Sequence, residues 1–150
     1  MKAILKATSE ADSLEVREVP VPKVGPGEVL IQIKATGICY TDISILKNRY
    51  KGRKPVPIPL IMGHEGAGIV AELGPGVNHV SVGDRVGLEA LWGCGKCLQC
   101  FKGFKNMCVD WNHIGITCDG TFAEYISLPG ELAHKLPDNV SFIDARSEER

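Results

Sequence analysis

Short segments in which apolar and polar residues alternate recur along most of the chain. In the clearest one, every second residue from Val29 to Ala35 is apolar, and Gln32 and Lys34 lie between them. A period of two is typical of a strand with one buried face. Strands are predicted over Lys2–Thr8, Leu14–Val19, Val29–Thr36, Gly68–Leu73, Arg85–Glu89, Phe122–Leu128 and Leu132–Leu136. The pattern therefore predicts a mainly β fold.

Glycine and proline separate these segments. The chain has 17 Gly and 9 Pro, and the run from 20 to 28 must be a turn or loop because proline lacks an N–H donor. One segment, Thr41–Lys47, predicts a short helix that Thr41 or Asp42 can cap. Residues 144–150 are polar, and we expect this tail to fray. The result is a β-rich domain with many turns and few helices.

Length and charge exclude several classes of protein. The 150 residues suit one domain, and a net charge of −1 argues against a nucleic acid or an anionic membrane as a partner. No apolar stretch approaches the roughly 20 residues of a membrane-spanning helix. The apolar run after Lys2 is too short for a signal peptide, which predicts a cytoplasmic location and cysteines that are thiols or metal ligands.

Four of the six cysteines form a compact group with the spacing C-x2-C-x2-C-x7-C. They are Cys94, Cys97, Cys100 and Cys108. Two-residue spacers let neighbouring sulfurs reach one zinc ion, and four thiolates complete its tetrahedral shell. The group therefore predicts a structural zinc site in a lobe over about 92–110. Two disulfides, or thiols without a partner, are the alternatives.

A second group of metal-ligating residue types is split along the chain. Cys39 lies just before the predicted helix, and His64 and Glu65 lie between glycines. One thiolate and one imidazole neutralise less of the zinc charge than four thiolates, so such an ion keeps its Lewis acidity. Each signal is weak alone, because a lone cysteine commonly packs and a His–Glu pair is often a surface pair.

Several motifs in one order make the chain similar to a known family. The motifs are Gly37-Ile38-Cys39 with Thr41-Asp42, the run Gly63-His64-Glu65-Gly66-Ala67-Gly68-Ile69-Val70, the run Val82-Gly83-Asp84-Arg85-Val86, the cysteine lobe, and Asp119-Gly120-Thr121-Phe122-Ala123-Glu124-Tyr125. Over 1–143 the chain resembles the N-terminal, GroES-like catalytic domain of the zinc-dependent medium-chain alcohol dehydrogenases. The resemblance implies a partly open β-barrel with a few short helices and a zinc-knuckle lobe.

The resemblance also implies roles for individual residues of the second group. Cys39 and His64 become ligands of a catalytic zinc, and Glu65 becomes a carboxylate that enters the metal shell in exchange with water or substrate. Thr41 is implied to take the alcohol proton, and Asp42 is implied to orient the His64 ring.

Other positions carry weaker expectations. Many members of the family have a relay histidine at the position of Ser44, so proton exit through a serine hydroxyl is an open question. Trp92 and His113 match positions that line the substrate pocket, although both could simply pack. Trp111 could face the pocket or the lobe, and Cys118 is expected to be a buried thiol.

The family's nicotinamide-binding Rossmann domain has no counterpart in the sequence. No G-x-G-x-x-G follows a predicted strand, and the third protein ligand of the catalytic zinc normally lies just past the last residue. Glu148 or Glu149 in the tail is a substitute candidate. We therefore expect a truncation point in 144–150, two zinc ions, and NAD or NADP binding only with the missing domain.

The resulting hypothesis is the catalytic domain of an NAD(P)-dependent dehydrogenase that oxidises a small alcohol to an aldehyde or ketone. By itself we expect the domain to be inactive, because hydride transfer needs a positioned cofactor. Alternatives are a stand-alone zinc-binding module without catalysis, a threonine- or sorbitol-type dehydrogenase, and a zinc-free quinone reductase, which usually lacks both cysteine groups. Assembly into a homo-oligomer is left open.

Overall fold

A computed structural model describes residues 1–147 of the chain. The strands are β1 Lys2–Lys6, β2 Leu14–Glu18, β3 Glu28–Gly37, β4 Leu60–Ile61, β5 Glu65–Leu73, β6 Arg85–Leu88, β7 Leu91–Trp92, β8 Asn112–His113, β9 Tyr125–Pro129 and β10 Ala133–Lys135. The helices are α1 Tyr40–Leu46, α2 Leu98–Phe101 and α3 Phe142–Ala145, with 3-10 turns at Lys105–Met107 and Gly130–Leu132. The prediction of a mainly β fold with few short helices is confirmed.

Two sheets form the body of the domain. The larger has the strand order β10-β6-β5-β3-β9, and the smaller has the order β2-β1-β4. All their pairings are antiparallel. The sheets meet where Ala3 bridges Ala123 and the Ile4 N–H donates to the Phe122 carbonyl at 2.7 Å. A third, two-stranded sheet of β7 and β8 lies beside the cysteine lobe.

The main core lies against the large sheet. Val29 and Ile31 of β3 and Val86 of β6 are fully buried, together with Leu128 of β9. Leu30 is buried as well, although it belongs to the other phase of the alternation, and a register shift lies between Leu30 and Ile31. Such a bulge increases the local twist of the strand, so side chains of both phases can reach apolar surroundings.

All seven predicted strands and the predicted helix are present, with ends that differ by at most three residues. The alternation did not reveal β4, β7 and β8, because two residues are too few to show a period. It also missed α3, which begins after Ser141, whose hydroxyl accepts from the Asp144 N–H at 3.1 Å. This helix spans the boundary placed at residue 143, and Glu148 and Glu149 lie outside the described residues.

No helix within residues 1–147 combines the length and the apolar character that crossing a bilayer requires.

Candidate metal centres

The four lobe cysteines converge on one point. Their sulfur atoms lie within 4.8 Å of one another, with 3.6 Å between Cys97 and Cys100 and 3.8 Å between Cys97 and Cys108. Sulfurs held about 2.3 Å from a zinc ion at the corners of a tetrahedron are about 3.8 Å apart. The observed separations therefore fit a closed zinc site, and all six cysteines of the chain are free thiols.

Local backbone structure prepares the sulfurs to be thiolates. The Cys108 sulfur accepts from the N–H groups of Cys94 at 3.2 Å and Asp110 at 3.3 Å, and the first of these contacts lowers the pKa of Cys108 most. The N–H groups of Cys100 and Val109 lower the pKa of Cys97 to about 6. Because thiolates are the form that binds metal, the backbone favours the ligand state of both residues.

Burial works against the Cys100 thiolate. Burial, together with the neighbouring sulfurs of Cys97 and Cys108, raises the pKa of Cys100 to about 11. A cation among the four sulfurs would offset this repulsion, which is a second reason why the group suits a divalent metal.

A small apolar cluster fastens the lobe to the body of the domain. Cys108 and Trp111 are buried there together with Ile45 of α1. The Arg53 guanidinium lies 5.3 Å from the centre of the Trp111 ring and donates to the Cys108 carbonyl at 3.2 Å. The sequence left two orientations open for Trp111; the residue packs with Cys108 of the lobe, and its ring also lies 6.0 Å from the ring of His113.

The second group, Cys39, His64 and Glu65, is also brought together. One ligand atom from each residue lies within 4.8 Å of the others. Cys39 is the residue before α1, and Glu65 is the first residue of β5. The site has two halves, Cys39 on one side and His64 with Glu65 on the other. Gly37 at the end of β3 pairs with Glu65, so the β3–β5 register sets the separation between these halves.

Asp42 connects the two halves. Its carboxylate accepts from the Cys39 N–H at 2.9 Å and from the Gly63 N–H at 3.2 Å, and it is only 1% exposed. One of its oxygens lies 3.5 Å from His64 Nδ1, a buried nitrogen that has no hydrogen-bond partner among the residues the structure describes. Histidine ligands commonly turn their second ring nitrogen to a carboxylate, so this contact leaves the other nitrogen for a metal.

The electrostatics of Cys39, His64 and their neighbours favour a bound positive charge. Burial lowers the pKa of His64, but Asp42 and Cys39 outweigh it and raise that pKa to about 9. The Thr41 N–H lowers the pKa of Cys39 more than burial raises it. Both shifts show that the group favours a bound positive charge, which a zinc ion would supply on displacing the His64 proton.

Three further residues were predicted to belong to the open site, namely Thr41, His113 and Ser44. Thr41 Oγ1 is 3.7 Å from the Cys39 sulfur. The His113 ring lies 5.3 Å from the His64 ring, and its Nδ1 is 2.8 Å from the Ile114 carbonyl. The Ser44 hydroxyl instead donates to the Tyr40 carbonyl of its own helix at 3.1 Å.

Two predicted residues outside the ligand groups have packing partners. Trp92 is half-buried against the main core cluster through β7. Cys118 is half-buried, and burial raises its pKa to about 11.

Two threonines that the sequence reasoning missed support the open site. Thr36 donates to the Glu65 carbonyl at 2.7 Å, and its hydroxyl lies 2.7 Å from that of Thr121, which is fully buried. Gly63 has a φ of +87°, and a side chain there would meet the Phe122 ring. Thr121 and Phe122 belong to the family motif over 119–125, and that membership is the feature of the sequence that could have identified them as supporting residues.

Comparison with known proteins gives consistent matches. The model of the alcohol dehydrogenase GroES-like domain matches residues 25–138. An alcohol dehydrogenase of Geobacillus stearothermophilus is 44% identical over 88% of this chain and 39% of its own length. L-threonine 3-dehydrogenase of Pyrococcus furiosus is 45% identical over 93% of the chain and 40% of its own length. The chain thus spans about two fifths of these curated relatives.

Solved structures agree on the fold. An NAD-dependent alcohol dehydrogenase superposes with a TM-score of 0.87 at 34% identity, over 95% of this chain and 41% of that one. A thermostable alcohol dehydrogenase from Pyrobaculum aerophilum, solved with cobalt and zinc bound, gives 0.86 at 36% identity, over 97% and 44%.

Proposed function

Because the chain belongs to the zinc-dependent medium-chain alcohol dehydrogenases and contains their GroES-like domain, we propose that it supplies the zinc- and alcohol-binding part of such an enzyme. The proposed reaction oxidises a small alcohol to an aldehyde or ketone with NAD or NADP as hydride acceptor. The observation that supports it most is the convergence of Cys39, His64 and Glu65 around the Asp42 bridge.

Cys39 and His64 would hold the catalytic zinc, and Glu65 would be the carboxylate of that site. A zinc ion there supplies a Lewis acid that lowers the pKa of a hydroxyl group. Thr41, whose hydroxyl is 3.7 Å from the Cys39 sulfur, would accept the alcohol proton. Asp42 would hold the His64 ring in place, since its carboxylate contacts both halves of the site.

The next step of proton transfer cannot use Ser44 as it stands. Its hydroxyl donates to the Tyr40 carbonyl, so the oxygen could accept a proton from Thr41, but passing the Ser44 hydrogen on to solvent would require that bond to break. His113 and Trp92 are proposed as walls of the substrate pocket, and His113 has the stronger support because its ring lies against the His64 ring.

A second zinc would be held by the four lobe cysteines with a structural role. Its removal would free four sulfurs around a lobe whose apolar residues are largely exposed, among them Phe101 and Val109. We expect catalysis by this chain alone to be absent or very weak, because a cofactor must be positioned beside the alcohol. Zinc-ligating thiolates also suit a reducing compartment, so we propose a cytoplasmic location.

Metal analysis tests the proposal directly. Protein prepared with zinc should contain about two zinc ions per chain, Cys39→Ser should contain about one, and Cys118→Ser should keep both. Cys118 is the matched control because it lies in neither ligand group. Only one zinc in the unaltered chain, unaffected by Cys39→Ser, would favour the alternative of a zinc-binding module without catalysis.

A threonine-type dehydrogenase is the second candidate function, because an L-threonine 3-dehydrogenase is 45% identical to the chain, as near as the alcohol dehydrogenase at 44%. Cobalt bound at the open site reports on ligands through its visible absorption. L-threonine, but not 2-propanol, should change that spectrum if the site is of the threonine type. The opposite preference would support a simple alcohol as the substrate.

A further inference from the structure

The outer edge of β2 is an open strand edge. Within residues 1–147, β2 pairs with β1 only and lies at one end of the small sheet. All five of its residues are exposed, and Val16 at its centre is 69% exposed. An open edge can add a further strand, unless side chains or bends prevent it.

The hydrogen-bond pattern shows which backbone groups face outward. Met1 and Val19 exchange hydrogen bonds of 2.8 and 2.9 Å, and the Ala7 N–H donates to the Ser13 carbonyl at 2.8 Å. Because bonded pairs alternate in an antiparallel ladder, the N–H and C=O groups of 14, 16 and 18 point away from β1. In the described part of the chain, only the Leu14 N–H of these groups has a partner, the Asp12 carbonyl at 2.9 Å.

The centre of β2, Glu15-Val16-Arg17, is complementary in charge to itself when reversed. Two copies aligned antiparallel about Val16 place each Glu15 opposite Arg17 of the second copy. In the same register the outward N–H and C=O groups of Val16 face their equivalents, as a bonded pair requires. The backbone pattern allows only registers that pair the outward residues 14, 16 and 18 with one another. Among these, the register about Val16 is favoured by charge, because the neighbouring ones place Glu15 opposite Glu15 or Arg17 opposite Arg17.

The two faces of the paired strand would both gain contacts. Glu15 and Arg17 share one face, where the Arg17 Nε donates to Glu15 at 2.7 Å, and the guanidinium has further donors for a second carboxylate. On the other face Val16 lies opposite Ile4 of β1, which is 38% exposed. Pairing would place these two side chains beside the same two of the second copy in one apolar stripe.

We propose that two copies of this chain associate through β2, aligned antiparallel about Val16, to form one continuous sheet across a two-fold axis. The ladder is short, because Pro20 lacks a donor on one side and Asp12 turns the chain with a φ of +57° on the other. Such a contact buries less than the roughly 1,200 Å² of stable interfaces, so the dimer dissociates on dilution. The inference does not depend on either metal site.

Sedimentation of the zinc-loaded chain over about a hundredfold concentration range tests this dimer. The unaltered chain should show a reversible monomer–dimer equilibrium. Arg17→Glu makes residues 15 and 17 of both copies glutamates, four on one face of the paired strands, and should raise the dimer Kd at least about tenfold. The exchange Glu15→Arg with Arg17→Glu restores opposite charges and should return the Kd to within about threefold. Far-UV circular dichroism confirms that each variant is folded.

Two further variants separate this edge from other surfaces. Val16→Pro removes an outward donor that β1 does not use, and it should weaken the dimer while the fold persists. Phe101→Ser alters an exposed apolar residue of the lobe and should leave the dimer unchanged. A chain that is monomeric at every concentration overturns the proposal. So does an exchange variant that stays as weak as Arg17→Glu, or loss of the dimer in Phe101→Ser alone.

Discussion

Replacing Asp42 by alanine should destabilise the fold and weaken the open metal site together. The carboxylate is 1% exposed and accepts two backbone hydrogen bonds, from Cys39 at 2.9 Å and from Gly63 at 3.2 Å. Its removal leaves both N–H groups without an acceptor in a buried place. It also removes the group that lies 3.5 Å from His64 Nδ1.

The magnitude follows from these contacts. A hydrogen bond to a charged group contributes about 1.5–3 kcal/mol, so the loss of two predicts a decrease of about 3–6 kcal/mol in the free energy of unfolding. Loss of a carboxylate behind a ligand histidine lowers metal affinity about 10–100-fold. Asp42→Asn keeps one acceptor oxygen and should fall between the alanine variant and the unaltered chain in both measurements.

Urea unfolding of the zinc-loaded protein and competition with a zinc chelator measure the two effects. Asp84→Ala is the matched control, because Asp84 also accepts two hydrogen bonds, from the Ser81 N–H and Lys135, but at the surface. Its effect on stability should be much smaller, because water replaces exposed partners. If Asp42→Ala were as stable as Asp84→Ala, or bound zinc at the open site as tightly as the unaltered chain, the bridging role would be refuted.

Three other predictions address the lobe and the remaining cysteine. Cys97→Ser should lose the lobe zinc and unfold the lobe, seen as a lost near-UV circular dichroism signal, whereas Cys39→Ser should keep that signal; equal unfolding by both would contradict the assignment of a structural and a catalytic site. Arg53→Ala should destabilise by about 1–2 kcal/mol and shift tryptophan fluorescence, since the guanidinium packs on Trp111, and Arg53→Lys should recover only part of the loss. Burial raises the pKa of Cys118 to about 11, so its alkylation in zinc-loaded protein should be slow at pH 8 and rise with pH; mass spectrometry that finds fast modification at pH 8 would contradict this.

The features that the sequence predicted well are those set by local pattern. The seven strands appear because alternation reports one buried face, and the lobe cysteines converge because they lie within 15 residues of one another. Elements without enough residues to show a period, such as α2 over Leu98–Phe101, were not predicted. In α2 no residue is buried, so no apolar face marks the helix in the sequence.

The open site was predicted only through resemblance. Cys39 and His64 are 25 positions apart, and nothing in the spacing alone places them together. The register of β3 against β5 and the Asp42 bridge do so, and both are long-range pairings whose geometry no local pattern encodes. The direction of the Ser44 hydroxyl is another example, because a helix carbonyl competes for it.

The amino-acid sequence by itself determined the chemistry of this protein, namely which side chains can bind metal and which segments can form strands. Only the tertiary structure decided which of those side chains meet, that Arg53 and Trp111 anchor the lobe, and that β2 keeps an open edge. The physical reason is that ligand type and strand periodicity are properties of neighbouring residues. Convergence, burial and free edges arise when distant segments pack against one another.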